Sequence, residues 1–228
     1  MSEVLAVLRA RNDAVPVTTT AAAVAKLLGA TPRTLDLTDP EDRAGSEDRL
    51  LRELEHEDVL LAVLMGDGRR QVVPWRIARL ATKPIVLVPR SELAPRRVIS
   101  RVLIPLDGKS ESSAAVSEMV AALARSGVKM LVLHVFEVGS VPRFWDHPEH
   151  AQDVWEAEFR ARHCQAPGVR VEWRSGVPAD RVIDVAGVEN VDLIMLGWSR
   201  TDQPGRARTT RRTVREAQVP VLLIPILD

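Results

Sequence analysis

The chain has 228 residues, of which 46% are hydrophobic and 27% are charged, and this balance indicates a globular rather than a disordered protein. Its formal net charge is zero, which gives no general reason to expect nucleic acid or an anionic membrane as a partner. No apolar run approaches the roughly 20 residues that a membrane span needs, and the N-terminus lacks the pattern of a secretory signal. The single cysteine, Cys164, excludes an internal disulfide and fits a reducing compartment. We therefore expect a cytoplasmic protein.

The first half of the chain alternates short apolar runs with helical patterns. Apolar runs predict strands at 4–8, 34–37, 59–65 and 85–88. Helical spacing predicts helices at 17–30, 46–56 and 72–80, with Ser46 as the cap of the second.

A polar segment at 90–100, which carries Pro95, is the best candidate for a domain boundary. We accordingly predict two domains, 1–93 and 94–228. In the second, apolar runs predict strands at 102–106, 130–136, 169–173, 191–197 and 221–226. Helical patterns predict helices at 111–126, 149–163 and 178–188, and a short helix in the basic segment before Pro220.

The two halves carry an internal repeat. VLLAVLMGDG in the first half parallels VDLIMLGWSR in the second, and a series of residues after each matches at one constant separation: Arg76, Arg79, Ala81, Pro84 and Pro89 with Arg212, Arg215, Ala217, Pro220 and Pro225. The extra length of the second half lies mostly between Phe136 and Ser175, where a helix and a strand occur only in that copy. We therefore predict two α/β units of parallel strands with right-handed crossovers, the first lacking one helix and one strand.

The order and spacing of VLIPLDGKSESSAAV, LVLHVFE, DLIMLG and VPVLLIP resemble the universal stress protein family, in a tandem arrangement. The second half carries the resemblance over nearly its whole length, whereas the first half shares the layout and the closing PIVLVP. The resemblance implies doubly wound parallel sheets, as in the related adenine nucleotide alpha hydrolases. It also implies nucleotide binding in some members and dimers formed by pairing of the last strands. Here the strands at 85–88 and 221–226 would pair within one chain, as an intramolecular pseudo-dimer that hides both edges.

The same resemblance implies an adenine pocket in the second half. In ATP-binding members the first strand ends in Pro-x-Asp, which corresponds here to Pro105 and Asp107. A valine that closes the second strand corresponds to Val135, and the apolar residue and glycine that end the fourth strand correspond to Leu196 and Gly197. The carboxyl ends of these strands would lie together at one edge of a parallel sheet, where ligands bind.

The phosphate-binding part departs from the family pattern of Gly-x-x-Gly followed by Gly-Ser or Gly-Thr. Arg200 stands at the second glycine, and the Gly-Ser pair falls on Ala207 and Arg208. Alanine and arginine disfavour the positive φ that glycine allows close to a phosphate. The segment nevertheless carries Arg206 and Thr209 beside these residues, and guanidinium groups bind phosphate by charge-assisted hydrogen bonds. The alternative is that the arginines form a solvated face or pair with acids elsewhere.

Two functions remain open on this basis. The first is a stress-response protein that binds ATP or another adenine nucleotide in its second half, with Mg²⁺ entering only with the nucleotide. The second is a regulatory or interaction module that keeps only the scaffold, and an enzyme of the related nucleotide-binding folds is a weaker third. Arg9 stands where Asp107 stands in the second copy, so the first half is expected to bind no nucleotide.

Other chemistry finds little support in the sequence. No catalytic residues are proposed, because Ser199 has no evident His and Asp partners. The segment with His147, His150, His163 and Cys164 matches no zinc spacing, so no metal ligands are proposed and an aromatic and histidine-rich lid is favoured there. A homo-oligomer and an unidentified regulatory protein partner remain open, whereas a membrane or a specific nucleic acid is not expected.

Overall fold

The computed structural model describes residues 1–39, 45–66, 72–91, 94–137, 149–164, 168–200 and 206–226. Within these ranges the strands are β1 (Glu3–Leu8), β2 (Thr31–Asp36), β3 (Val59–Met65), β4 (Ile85–Val88), β5 (Arg101–Pro105), β6 (Lys129–Phe136), β7 (Val169–Ser175), β8 (Leu193–Trp198) and β9 (Val221–Pro225). The helices are α1 (Ala14–Leu28), α2 (Ser46–Glu55), α3 (Val72–Leu80), α4 (Ser110–Arg125), α5 (Glu149–His163), α6 (Pro178–Val188) and α7 (Arg206–Glu216). None of the helices in these ranges has both the length and the hydropathy for a membrane crossing.

The strands form one continuous sheet in the order β2-β1-β3-β4-β9-β8-β5-β6-β7. All neighbours within each half are parallel, and the two halves meet where β4 pairs with β9 in antiparallel register. Among the described residues, the first half has four strands and the second has five, because β7 and the preceding α5 occur only in the second. The predicted fold class is confirmed: two doubly wound α/β units in tandem, the first shorter by one helix and one strand.

The junction between the halves is buried and apolar. Ile85 lies opposite Leu223, and Leu87 lies opposite Val221. Both strands are buried along their whole described length, which explains why each reads as an uninterrupted apolar run. Each strand would otherwise be an open sheet edge with unpaired backbone groups, so the pairing removes two edges at once.

Helices cover both faces of the sheet, and successive strand residues alternate between two apolar layers. The layer formed with α1, α4 and α5 contains Val132 and Met195. The layer formed with α2, α3, α6 and α7 contains Leu133 and Leu196. The alternation of side chains along β5, β6 and β8 therefore determines which face of the sheet each site residue lies on.

Several predicted boundaries differ from the structure, among them the start of α1, which lies at Ala14 rather than at 17. β2 spans Thr31–Asp36 rather than 34–37, because it pairs with β1 along its whole length and, as an edge strand, tolerates Pro32. β8 begins at Leu193 rather than at 191. Ser46 is the first residue of α2 rather than its cap, and Gly45 occupies the cap position with a φ of 95°.

Candidate functional site

The candidate site lies where β5 is flanked by β8 on one side and β6 on the other, the switch point of the second half. The register between β5 and β8 ends with Leu103 opposite Ile194. β5 nevertheless continues to Pro105, and β8 continues to Trp198. The two parallel strands thus separate toward their carboxyl ends, and a crevice at this position is where doubly wound sheets bind ligands.

Asp107 lies at this edge, directly after β5, and its side chain is exposed. One carboxylate oxygen accepts a hydrogen bond from the backbone N–H of Lys109 at 3.1 Å. Gly108 between them has a φ of 75°, which the turn requires. Asp107 therefore shapes the turn that starts α4 and also has an exposed carboxylate at this edge of the sheet.

Gly197 lies at the same edge, near the end of β8, and is half-buried. A Cβ atom at this position would lie 3.6 Å from the Cα and carbonyl oxygen of Ser112 and 3.6 Å from Cδ1 of Ile226. One side of Gly197 is therefore covered by the first turn of α4, which brings the loop of Asp107 close to β8. Asp107 and Gly197 share one rim of the sheet.

The apolar residues of the predicted pocket lie mostly inside the fold. Leu196 and Ala207 are buried in the apolar layer beneath α6 and α7, and Val135 packs partly buried against that layer. Pro105 is half-buried at the end of β5. The side chain of Ala207 is thus occupied with core packing, which explains an alanine at a position where the family has the glycine of its phosphate loop.

Arg200 has an unusual backbone conformation. Its φ is 57°, in the left-handed region that L residues other than glycine rarely adopt. The conformation costs about 1–2 kcal/mol for a residue with a Cβ atom. The sequence argument expected arginine to disfavour this conformation, but Arg200 adopts a φ that is usual for glycine. Residues 201–205, which follow, lie outside the described residues.

Two arginines near the end of α7 are engaged within the fold. Arg212 pairs with Asp180 of α6 and donates to the carboxylate of Glu216. Arg215 donates to Glu216 at 2.7 Å. The hydrogen bond from Arg215, and then that from Arg212, holds the pKa of Glu216 below its ordinary value. Arg212 therefore supports the α6–α7 contact, whereas Arg215 pairs within α7, and both engage acids as the alternative to phosphate binding predicts.

The other arginines of α7 lie in different environments. The guanidinium carbon of Arg211 lies 5.5 Å from the ring centroid of Trp75, a cation–π contact to the first half. Arg208 is exposed and Thr209 is half-buried in the first turns of the helix. The backbone of Arg206 begins α7, whereas its side chain lies outside the described residues. The start of α7 follows the carboxyl end of β8 along the chain, and Arg208 is exposed in the first turn of that helix.

His134, which precedes Val135 in the motif that closes the second strand, supports the turn of Asp107. His134 Nδ1 lies 2.9 Å from the carbonyl oxygen of Leu106, so this nitrogen carries the hydrogen. Burial lowers the pKa of His134, although the Leu106 hydrogen bond and the charge of Asp107 oppose the shift. The neutral ring packs against Phe159 and Trp173 at centroid distances of 5.3 Å and 5.8 Å. The LVLHVFE motif carried the only sequence signal for this contact.

The predicted aromatic lid is described only in part. Trp155 packs on His134 and Trp173, with ring centroids at 5.7 Å and 4.3 Å, which places α5 firmly on the sheet. Trp145 and His147 lie outside the described residues, as does the side chain of His150. Over the part of the chain that the structure describes, no group of three His, Cys, Asp or Glu side chains could hold a metal ion.

The fold and the switch-point crevice define a doubly wound α/β protein of the kind that binds ligands at the carboxyl edge of its sheet. The sequence profile of the universal stress protein family matches residues 99–225, more than half of the chain. The chain therefore belongs to the universal stress protein family. No curated protein sequence matches it.

Some solved structures resemble the whole chain, and others align with little more than half of it. A universal stress protein from Archaeoglobus fulgidus DSM 4304 aligns with a TM-score of 0.68 at 13% identity, covering 99% of this chain and 98% of that one. A putative universal stress protein from Pseudomonas aeruginosa UCBPP-PA14 aligns with a TM-score of 0.63 at 13% identity, covering 99% and 93%. At these identities the likeness shows the shared fold alone.

Proposed function

We propose that the second half of this universal stress protein binds an adenine nucleotide, with ATP as the first candidate, in the crevice between β5 and β8. The observation that carries the proposal is the left-handed backbone of Arg200 at the position where the family has glycine. Strained residues of this kind persist where the surrounding structure holds them, and they cluster at ligand sites. A glycine-like backbone conformation that also carries a guanidinium suits a phosphate group.

The residues at the crevice divide the work of recognition in this proposal. The exposed carboxylate of Asp107 accepts a hydrogen bond from the base, and Val135 supplies part of the apolar wall. Arg200 and Arg208 neutralise the phosphates, together with the backbone N–H groups that open α7. Mg²⁺ would accompany the nucleotide rather than occupy a protein site of its own.

The proposal is tested by mass spectrometry of nucleotide carried through purification and by calorimetry with ATP, ADP, AMP and cyclic AMP. Asp107→Ala should weaken binding about tenfold, the effect of losing one hydrogen bond to a charged group. Arg9→Ala is the matched control, since Arg9 follows β1 as Asp107 follows β5, and it should leave the affinity unchanged. Equal losses from both variants, or no binding at millimolar nucleotide, would overturn the proposal.

A second candidate function is a regulatory or interaction module that retains the scaffold without the nucleotide. Its support is specific: Ala207 is packed in the core, one side of Gly197 is covered by Ser112, and Arg212 and Arg215 are engaged in ion pairs. A chain that binds none of the four nucleotides while remaining folded would favour this function. No catalytic role is proposed for either candidate.

The cellular location and the domain boundaries are part of the same proposal. We place the protein in the cytoplasm, supported by a single, buried cysteine that has no disulfide partner within the chain. We retain domains at 1–93 and 94–228 with the first as a structural partner of the second, supported by the antiparallel β4–β9 junction. Limited proteolysis should cut first in the segment 90–100 if the halves are separable units.

A further inference from the structure

A cavity of about 280 Å³ lies between α4, α5 and the sheet of the second half. Its floor is formed by Ile104 of β5, Leu106 directly after β5 and Val132 of β6. Its wall is formed by Val116 and Val120 of α4. Ser117 and Ala121 of α4 are exposed and line the mouth. The cavity is on the α4 and α5 face of the sheet, opposite the face that carries α7. It is therefore separate from the phosphate-binding side of the proposed nucleotide site.

One part of the cavity is polar. Ser113 Oγ lies 2.8 Å from His163 Nδ1 and 3.1 Å from the carbonyl oxygen of Lys109. A hydroxyl has one hydrogen, so when Ser113 donates to Lys109 it accepts from the Nδ1–H of His163. In that tautomer His163 keeps Nε2 as a hydrogen-bond acceptor. The buried thiol of Cys164 lies beside this pair.

We propose that this cavity binds a small, flat, mainly apolar molecule that carries a single hydrogen-bond donor, with the size and chemistry of indole or a substituted phenol. An apolar cavity of about 150 Å³ already accepts benzene, so this one has room for a bicyclic ring. Small-molecule sites combine apolar walls with a few convergent polar groups, and the Ser113–His163 pair supplies those groups here. A phosphate is not a suitable guest, because burying its charge among Ile104, Leu106 and Val132 would be costly.

The cavity is tested with indole as the probe on the full-length protein. Indole at a concentration tenfold above its dissociation constant should raise the Tm by about 3 °C. Ala121→Phe should abolish the shift by closing the mouth. Ala114→Phe makes the same change at an exposed position of α4 that does not line the cavity, and it should keep the shift.

The single cysteine provides an independent readout, because Cys164 lines the cavity and is the only thiol in the chain. Saturating indole should slow the alkylation of Cys164 by iodoacetamide about fivefold or more, since a bound ligand blocks access to the thiol. Protection of Cys164 in the parent chain and its loss in Ala121→Phe would establish the site. Unchanged alkylation and an unchanged Tm with indole and 2-naphthol, or equal responses from the two phenylalanine variants, would overturn it.

Discussion

The indole N–H of Trp198 donates a hydrogen bond to the carbonyl oxygen of Ala78 at 3.1 Å, across the boundary between the two halves. Ala78 lies in the last turn of α3, where carbonyl groups have no partner within the helix. Trp198 is 1% exposed, and its ring lies 5.2 Å from that of Trp75. Trp198 therefore fills the core and satisfies the end of a helix from the other half.

We expect Trp198→Phe to lower the free energy of unfolding by about 1–3 kcal/mol, because a buried carbonyl loses its donor and the core loses volume. Urea unfolding followed by circular dichroism measures the change. Trp173→Phe on the edge strand β7 is the control, since Trp173 is only half-buried, and its cost should be smaller. A larger loss from the edge variant would contradict the role assigned to Trp198.

Replacing Arg200 by glycine should separate the turn from the charge. Arg200→Gly relieves the left-handed strain and should raise the free energy of unfolding by up to about 1 kcal/mol. The same variant should weaken nucleotide binding, because the guanidinium is lost. Asn190→Gly is the matched control: Asn190 has a φ of 49° but lies after α6. It should gain less stability, since asparagine tolerates this conformation, and should leave the affinity unchanged.

Asp192 is expected to be a major determinant of stability at the start of the second half. Its carboxylate is 3% exposed, accepts hydrogen bonds from the backbone N–H groups of Ser100 and Arg101, and pairs with Arg96 at 3.1 Å. Asp192→Ala should cost about 3 kcal/mol, since the N–H groups and the cation lose their partner in a buried setting. Asp184→Ala removes an exposed ion pair and should cost well under about 1 kcal/mol. Similar losses in thermal unfolding would contradict this assignment.

Acid should destabilise the protein through His134. Burial lowers the pKa of His134 in the folded state below its ordinary value of about 6.5. As the pH falls, His134 therefore binds its proton in the unfolded chain before it does so in the folded protein. The contribution of neutral His134 to the free energy of unfolding is complete above about pH 6.5 and is lost as the pH falls from that value toward the folded pKa. Stability measured from pH 8 to pH 5 should fall less steeply in both His134→Phe and His134→Gln. Parallel pH profiles for the parent and both variants would contradict the prediction.

Several elements could be read from the sequence because their patterns are local. The apolar runs of β3 and β4 and the amphipathic pattern of α5 have the predicted bounds, since strand burial and helical periodicity are written in consecutive residues. The predicted start of the edge strand β2 lies three residues after the actual start at Thr31. Its first residues have no strand pattern of their own and form a strand only through pairing with β1. An edge strand has little pattern of its own to recognise.

The candidate site was predictable only in outline. Residues after the strands, such as Asp107, were placed at the right edge because parallel strands share their carboxyl ends. The left-handed turn of Arg200 could not be predicted, since propensity alone argues against it. The covering of Gly197 by Ser112 and the Ser113–His163 contact join residues far apart in the chain, and no local pattern marks such contacts.

The order of apolar runs and helical patterns in this chain was enough to determine a repeated α/β architecture, with a second copy longer by one helix and one strand. The periodicity of apolar residues and the spacing of the repeat depend only on positions along the chain, so both can be recognised in the sequence. Only the tertiary structure decided which arginines of α7 form ion pairs within the fold, as Arg212 does with Asp180. It also decided which backbone conformation Arg200 adopts. Those outcomes depend on which side chains meet across the sheet, and packing between distant segments outweighs the preferences of any single residue.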